Sequence, residues 1–228
     1  MKMTLRELAR SKMSRRILSI LLTAALCFCL LTPAMAADKA KTIRLIRTEG
    51  TVTVTNSSGE NLDIWEDMRL YSGDHIITAA ESYAYLMLDK AKAAKMDAST
   101  DVEVRSRGRK LELLLNSGNI YFGVSVPLEE DENLNIRTSS IAMGIRGTAG
   151  WVEAIEEGHS KVYILEGTVT GTVTDPVSGQ SKSTTLHGGE CADFYTYDAS
   201  VPGDKVAIVR GQFTRGDISG YVLKEVPT

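Results

Sequence analysis

Residues 138–150, TSSIAMGIRGTAG, set Gly144, Gly147 and Gly150 at intervals of three around Arg146 and Thr148. Glycine beside a cation is the raw material of phosphate cradles and catalytic loops. A P-loop needs four residues between its first glycine and Gly-Lys-Ser/Thr, so that successive amides face the phosphates. Gly144-Ile145-Arg146-Gly147-Thr148 has neither that spacing nor the lysine. A dinucleotide fingerprint opens a helix with G-x-G-x-x-G, whereas WVEAI (151–155) downstream reads as a strand. A G-x-S-x-G nucleophile elbow is absent. What remains is turn chemistry. Gly144 and Gly147 permit positive φ or close backbone approach, and Thr148 can hydrogen-bond a turn. Arg146 either anchors carbonyls or a carboxylate with its fork of donors, or presents it to an anionic ligand or a partner's carboxylate.

The other reactive side chains form no set. His75, His159 and His187 contain no H-x-H or H-x-x-x-H pair, so the zinc-type ligand spacing is missing. Glu129-Glu130-Asp131-Glu132 lacks the alternating acids and the glycine of a calcium loop and reads as a solvated connection. Ser99, Thr100 and Asp101 have no histidine near in sequence. Cys191 follows a turn inside a strand-like segment and reads as a small buried residue. Tyr83/Tyr85 and Tyr195/Tyr197 are spaced by two, so each pair shares one face of a strand. Packing accounts for them; a glycan platform is the sharper alternative. The expectation is therefore no catalytic residue, no cofactor and no metal.

Residues 1–16 carry six basic residues against one acid, then an apolar run spans 17–31 and ends at Pro33-Ala34-Met35-Ala36. Basic, apolar, then small-x-small is the order of a secretory signal peptide, with cleavage expected between Ala36 and Ala37. An uncleaved anchor is the alternative, and Met13 is an alternative start. Of 26 basic and 29 acidic residues, six and one lie in positions 1–36, which leaves 20 against 28 and a net charge of −8. So acidic a chain, with no basic stripe, does not suit nucleic acid. It meets membrane only through an uncleaved N-terminal segment. Cys27 and Cys29 leave with the leader, so Cys191 has no partner for an internal disulfide.

GTVTVT (50–55), YAYLML (83–88), DVEVR (101–105), KLELLL (110–115), NIYFGV (119–124), KVYIL (161–165) and DFYTY (193–197) are short, rich in β-branched and aromatic residues, and separated by glycine turns. That pattern predicts an all-β roll or sandwich. LDKAKAAKMDA (88–98) reads as an exposed hairpin with lysines on its outer edge. TEGTVTVT (48–55) returns as LEGTVTGT (165–172), Ser58-Gly59 as Ser178-Gly179, and LYSGD (70–74) as LHGGE (186–190). Three matches in one order predict two similar hairpin units. Beyond them, 198–228 forms a C-terminal extension, with VAIVRGQF (206–213) as a strand and a short helix starting at Asp217.

IRTEGTVTV, LELLLNSGNIYF, NIRTSSIAMGIRGTAGWVE and VYILEGTVTGTV together resemble the FecR domain over residues 43–197, TSSIAMGIRGT being the most specific element. The resemblance implies a single all-β extracytoplasmic domain that is not an enzyme and acts in sensing, regulation or envelope assembly. Its partner would be an envelope protein or a surface ligand, with Arg146, Gly144, Gly147 and Thr148 as the contact or turn-anchor candidates. The founding members carry a cytoplasmic tail before a membrane helix, and this chain offers only 16 residues before its apolar run. A membrane-anchored, anti-sigma-like regulator and a glycan-binding module stand as alternatives.

Overall fold

A computed structural model describes residues 43–89, 92–108, 110–124, 133–198, 200 and 202–222. The leader with its Ala36–Ala37 cleavage point, the acidic run Glu129–Glu132 and residues 223–228 lie outside the described residues. The described residues are almost wholly β: β1 (Ile43–Glu49), β2 (Val52–Thr55), β3 (Asn61–Leu62), β4 (Met68–Leu70), β5 (His75–Thr78), β6 (Tyr83–Asp89), β7 (Lys92–Met96), β8 (Asp101–Arg107) and β9 (Lys110–Val124). There follow β10 (Asn133–Arg137), β11 (Ala142–Ile145), β12 (Ala149–Glu156), β13 (His159–Glu166), β14 (Thr168–Thr174), β15 (Ser181–His187), β16 (Glu190–Thr196) and β17 (Val206–Gln212).

Alternation makes these segments strands and decides which side faces in. In β14 the valines Val169 and Val173 are buried while Thr168, Thr170 and Thr174 are exposed. Pairing arranges the strands in two layers. The first runs β4-β1-β6-β7-β9-β12-β13-β16-β17. The second runs β3-β2-β5-β8-β9-β10-β11-β14-β15. β9 belongs to both, its first half pairing with β8 and β10 and its second half with β7 and β12. Among the described strand pairs only β9–β10 is parallel. Leu45, Leu86, Ile120, Phe122, Val152 and Ile164 from one layer meet Val54, Ile76, Val102, Leu113, Ile136 and Val173 from the other, all fully buried. Each such side chain contributes about 1.5–3 kcal/mol by leaving water.

The expected repeat is present, and its geometry explains it. Glu49-Gly50 and Glu166-Gly167 are corners where the chain leaves the first layer for the second, with φ of 73° and 84°. Asn56 Oδ1 accepts from the Ser58 and Glu60 amides, and Asp175 accepts from the Val177 and Ser178 amides, so the two Ser-Gly turns share one side-chain brace. Asp74 and Glu190 each accept from the amide three residues back, at Tyr71 and His187. The copies diverge between the second and third turns. β15 stays beside β14, whereas the two-residue β3 gives way to β4 in the first layer.

β6 and β7 pair as read, but Lys92 and Lys95 are not on an outer edge. β7 lies between β6 and β9, and Lys92 and Lys95 are buried. Residues 213–222 cover this outer face of the first layer. Phe213 meets Trp151 and Tyr163 edge-on, Trp151 stacks on Tyr163 at 4.1 Å, and Tyr221 packs beside them. Lys95 Nζ donates to the carbonyls of Tyr221 (2.9 Å) and Val222 (2.7 Å) while lying over the Tyr121 ring. The segment holds a single 3₁₀ turn, Arg215–Asp217, which Asp217 ends rather than starts; its carboxylate accepts from Thr214. Strand β17 completes the first layer beside β16.

The corner glycines are close-packed. A Cβ at Gly167 would overlap Thr148 Cγ2 and come within 2.8 Å of the Gly147 carbonyl, while one at Gly179 would meet nothing. Both residues have positive φ, so Gly179→Ala isolates backbone strain, about 1–2 kcal/mol. Gly167→Ala is expected to cost about 3 kcal/mol or more, because steric overlap adds to that strain. Urea unfolding of the two variants checks the difference.

Candidate functional site

The signature segment divides into a clip, a strand and a corner. The clip is the four-residue connection between β10 and β11. Thr138 Oγ1 accepts from the amides of Ser140 (3.2 Å) and Ile141 (3.1 Å), and the Thr138 amide donates to the Ile141 carbonyl. Thr138 Oγ1 also lies 2.7 Å from Ser160 Oγ on β13, and Ser140 Oγ donates to that same oxygen at 2.8 Å. All three hydroxyl residues are buried. Ser139 accepts from the Gly158 amide in the β12–β13 turn. These bonds tie a hairpin of the second layer to a hairpin of the first at one end of the core.

Along β11 the pattern is strict. Met143 and Ile145 are buried, while Ala142, Gly144 and then Arg146 are exposed. Ala142 and Gly144 leave almost no side chain on the outer face of the second layer, so the strand floors a shallow trough. Asn135 and Arg137 of β10 stand along one side, opposite Gly144 and Ala142. Thr170 and Thr172 of β14 stand along the other. The threonines continue into a hydroxyl ladder with β15, Thr170–Thr185 at 3.0 Å, Thr172–Ser183 at 2.9 Å and Thr174–Ser181 at 3.0 Å. A paired hydroxyl keeps further donor and acceptor capacity.

The corner carries the remaining candidates. Gly147 has φ of 66° and turns the chain from β11 into β12, from the second layer to the first. Thr148 is buried; its methyl lies against Gly167, its carbonyl accepts from the Val124 amide, and its hydroxyl has no partner among the described residues. Arg146 is exposed and, among the described residues, makes no hydrogen bond or ion pair. The four candidates are thus contiguous in space, with Gly147 and Thr148 directed into the corner and Arg146 and Gly144 outward.

Charges next to the trough are compensated. Arg105 of β8 donates to both Glu103 oxygens (2.6 and 2.9 Å), and Glu112 of β9 lies 3.6 Å from Arg105 and 3.8 Å from Arg137. The Arg105 hydrogen bonds hold the Glu103 carboxyl below the ordinary glutamate range. Arg137 and Asn135 were not singled out from sequence, although the alternation in NLNIR marks them as outward residues of an inward-outward strand.

The remaining reactive groups are dispersed. His159 lies 3.0 Å from Asp193 and stacks on Tyr195, His75 faces Asp101 and Glu103, and His187 meets Thr168. Among the described residues no three His, Cys, Asp or Glu side chains gather into a metal site, and no helix is long and apolar enough to cross a membrane. Cys191 is buried under the C-terminal segment, and burial pushes its thiol up. Tyr85, Trp151 and Tyr163 are buried, while Tyr195 and Tyr197 stack in a half-exposed pair.

Residues 74–170 match the FecR protein family, from the turn before β5 to the middle of β14, so the resemblance read from the sequence holds over that span. No curated protein matches the chain. Two crystal structures of a candidate anti-sigma factor from Parabacteroides distasonis ATCC 8503, at 1.65 and 2.50 Å resolution, are similar at 15% identity and a TM-score of 0.47. In each case the match covers 60% of this chain and 59% of the other, so the chain spans about six-tenths of those structures.

Three expectations follow. Thr138→Val strips an acceptor from two amides and a partner from Ser160, and is expected to cost about 1–3 kcal/mol, read from urea unfolding. Arg146→Ala, by contrast, stays within about 0.5 kcal/mol of wild type. With Cys27 and Cys29 replaced by Ser, so that Cys191 is the single thiol, raising pH tests its burial. Iodoacetamide labelling of the folded protein is expected to stay slow at about pH 8.5, where an unfolded cysteine is half ionised, and Lys95→Met, which frees the C-terminal segment, is expected to accelerate it.

Proposed function

We propose that this chain, with FecR-type residues 74–170, is a non-catalytic regulatory domain that works outside the cytoplasm by holding a protein partner. The observation that carries the reading is the position of Arg146. It is the charged side chain of the signature, it stands exposed without an intramolecular partner among the described residues, and the residues on either side of it are fixed by burial at Ile145 and by the Gly147 corner. A fork of guanidinium donors held on a rigid strand end recognises planar anions such as carboxylates.

The trough supports contact with a polypeptide. Its floor of Ala142 and Gly144 carries almost no side chain, and the asparagine and threonines of its walls offer both donors and acceptors to a backbone. The basic and apolar N-terminal segment, which would deliver the domain across a membrane or hold it there, supports the extracytoplasmic location. A signal-transducing role, in which partner binding outside is passed inward, accords with the family match.

Crosslinking in the native host followed by mass spectrometry tests this. Wild type and Arg146→Lys, which keeps the charge but loses the fork, should share a melting temperature, and the partner recovered with wild type should be lost or reduced about tenfold with the variant. Equal recovery from both contradicts the reading.

A further inference from the structure

The strand register of the second layer aligns side chains in rows that cross it. One row holds Arg105, Glu112, Asn135, Gly144, Thr170 and Thr185. The row two residues nearer the β8–β9 turn begins with Arg107 opposite Lys110, and Lys110 stands beside Asn133. Continuing the β10–β11 register by one residue past Leu134–Ile145 sets Arg146 beside Asn133, and continuing the β11–β14 register by two past Gly144–Thr170 sets it beside Thr168, which meets His187. Burial alternation puts Lys110, Arg107 and Arg146 on the outer face. Arg107 on β8, Lys110 on β9 and Arg146 in the bend that directly follows β11 therefore fall on one row once the register is extended to Arg146.

This row differs electrostatically from the one beside it. There Arg105 is bound to Glu103 and Glu112, and Arg137 is within reach of Glu112. Arg107, Lys110 and Arg146 have no ion pair or hydrogen bond among the described residues, in a chain of net charge −3. Adjacent strands lie about 4.8 Å apart, so Lys110 stands about 5 Å from Arg107 and about 10 Å from Arg146 along the row. A cleft of about 390 Å³, lined by Arg107, Lys110, Glu112, Asn135 and Ser106, opens next to it. Like charges so placed repel one another, and a bound anion removes that cost.

We infer that the row Arg107–Lys110–Arg146 is a recognition site for an acidic segment of a partner protein. Carboxylates match the two guanidinium forks, and the neighbouring Asn135, Thr168 and Thr170 side chains both donate and accept, which suits peptide amides. A phosphate polymer has no donors to offer their acceptor atoms. The inference rests on the partner-binding reading above and extends it to residues outside the family signature's own segment.

Fluorescence anisotropy with a labelled peptide of alternating Glu and Ser tests it on the full chain. Binding is expected at low ionic strength, weakening as salt approaches about 0.15 M. Arg107→Glu and Lys110→Glu should each weaken it about tenfold. Arg47→Glu makes the same charge change on the other layer, where Arg47 is an exposed residue beside Glu49, and should leave binding unaltered. Absence of peptide binding to wild type overturns the inference, as does an equal loss in Arg47→Glu. Binding of short-chain polyphosphate in place of the peptide also overturns it. Because Arg107 and Lys110 carry this assay, its failure leaves the Arg146 crosslinking result standing, and failure of the crosslinking leaves the peptide result standing.

Discussion

The structure depends on the corners at which one chain passes between two sheets. A strand leaves its layer at Gly50, Gly147 or Gly167 only where the backbone adopts positive φ, a conformation open to glycine and strained for other residues. The Gly147 and Gly167 corners also lie against each other, so closely that a Cβ at Gly167 would overlap Thr148. That contact fixes where β11 stops and β12 starts. It therefore fixes the last outward residue before the crossing, Arg146. The clip at Thr138, Ser140 and Ser160 holds the opposite end of the same hairpin. Most of the signature is thus spent on holding a strand between two anchors, and its single cation is what that strand presents.

Much of this was legible in the sequence because strand alternation and glycine placement are local. The period of two in TVTGTVT names both faces of β14 before any neighbour is known. The three ordered matches between 48–74 and 165–190 fold into the same corner and the same braced turns. What sequence could not separate is a hairpin turn from a corner between layers, since both draw on glycine at positive φ. Nor could it place Lys92 and Lys95. A lysine-rich segment reads as solvent-facing, but the cover that buries it, Tyr221 and Val222, comes 126 and 127 residues after Lys95. Lys95 is tolerated there because its ammonium meets two carbonyls and an aromatic face.

The candidate residues follow the same division. Arg146, Gly144, Gly147 and Thr148 were identifiable as a unit from their spacing, yet their sequence does not say which way each points. Burial alternation along β11 supplies that, sending Met143 and Ile145 in and Arg146 out. Arg107 and Lys110 were invisible as companions of Arg146 because the pairing that aligns them runs through four strands. The only sequence trace was RSRGRK (105–110), dense in cations within an acidic chain. Register, more than composition, makes a surface.

The central claim is that the signature turns its structural residues inward and Arg146 outward, and thiol accessibility reads that directly. In a Cys27→Ser, Cys29→Ser and Cys191→Ala background, Ile145→Cys, Arg146→Cys and Thr148→Cys would be labelled with a maleimide in the folded state. The account predicts that the Arg146→Cys protein reacts at the rate of a free thiol, while the Ile145→Cys and Thr148→Cys proteins react only on unfolding. Protection at position 146 equal to that at 145 would contradict it.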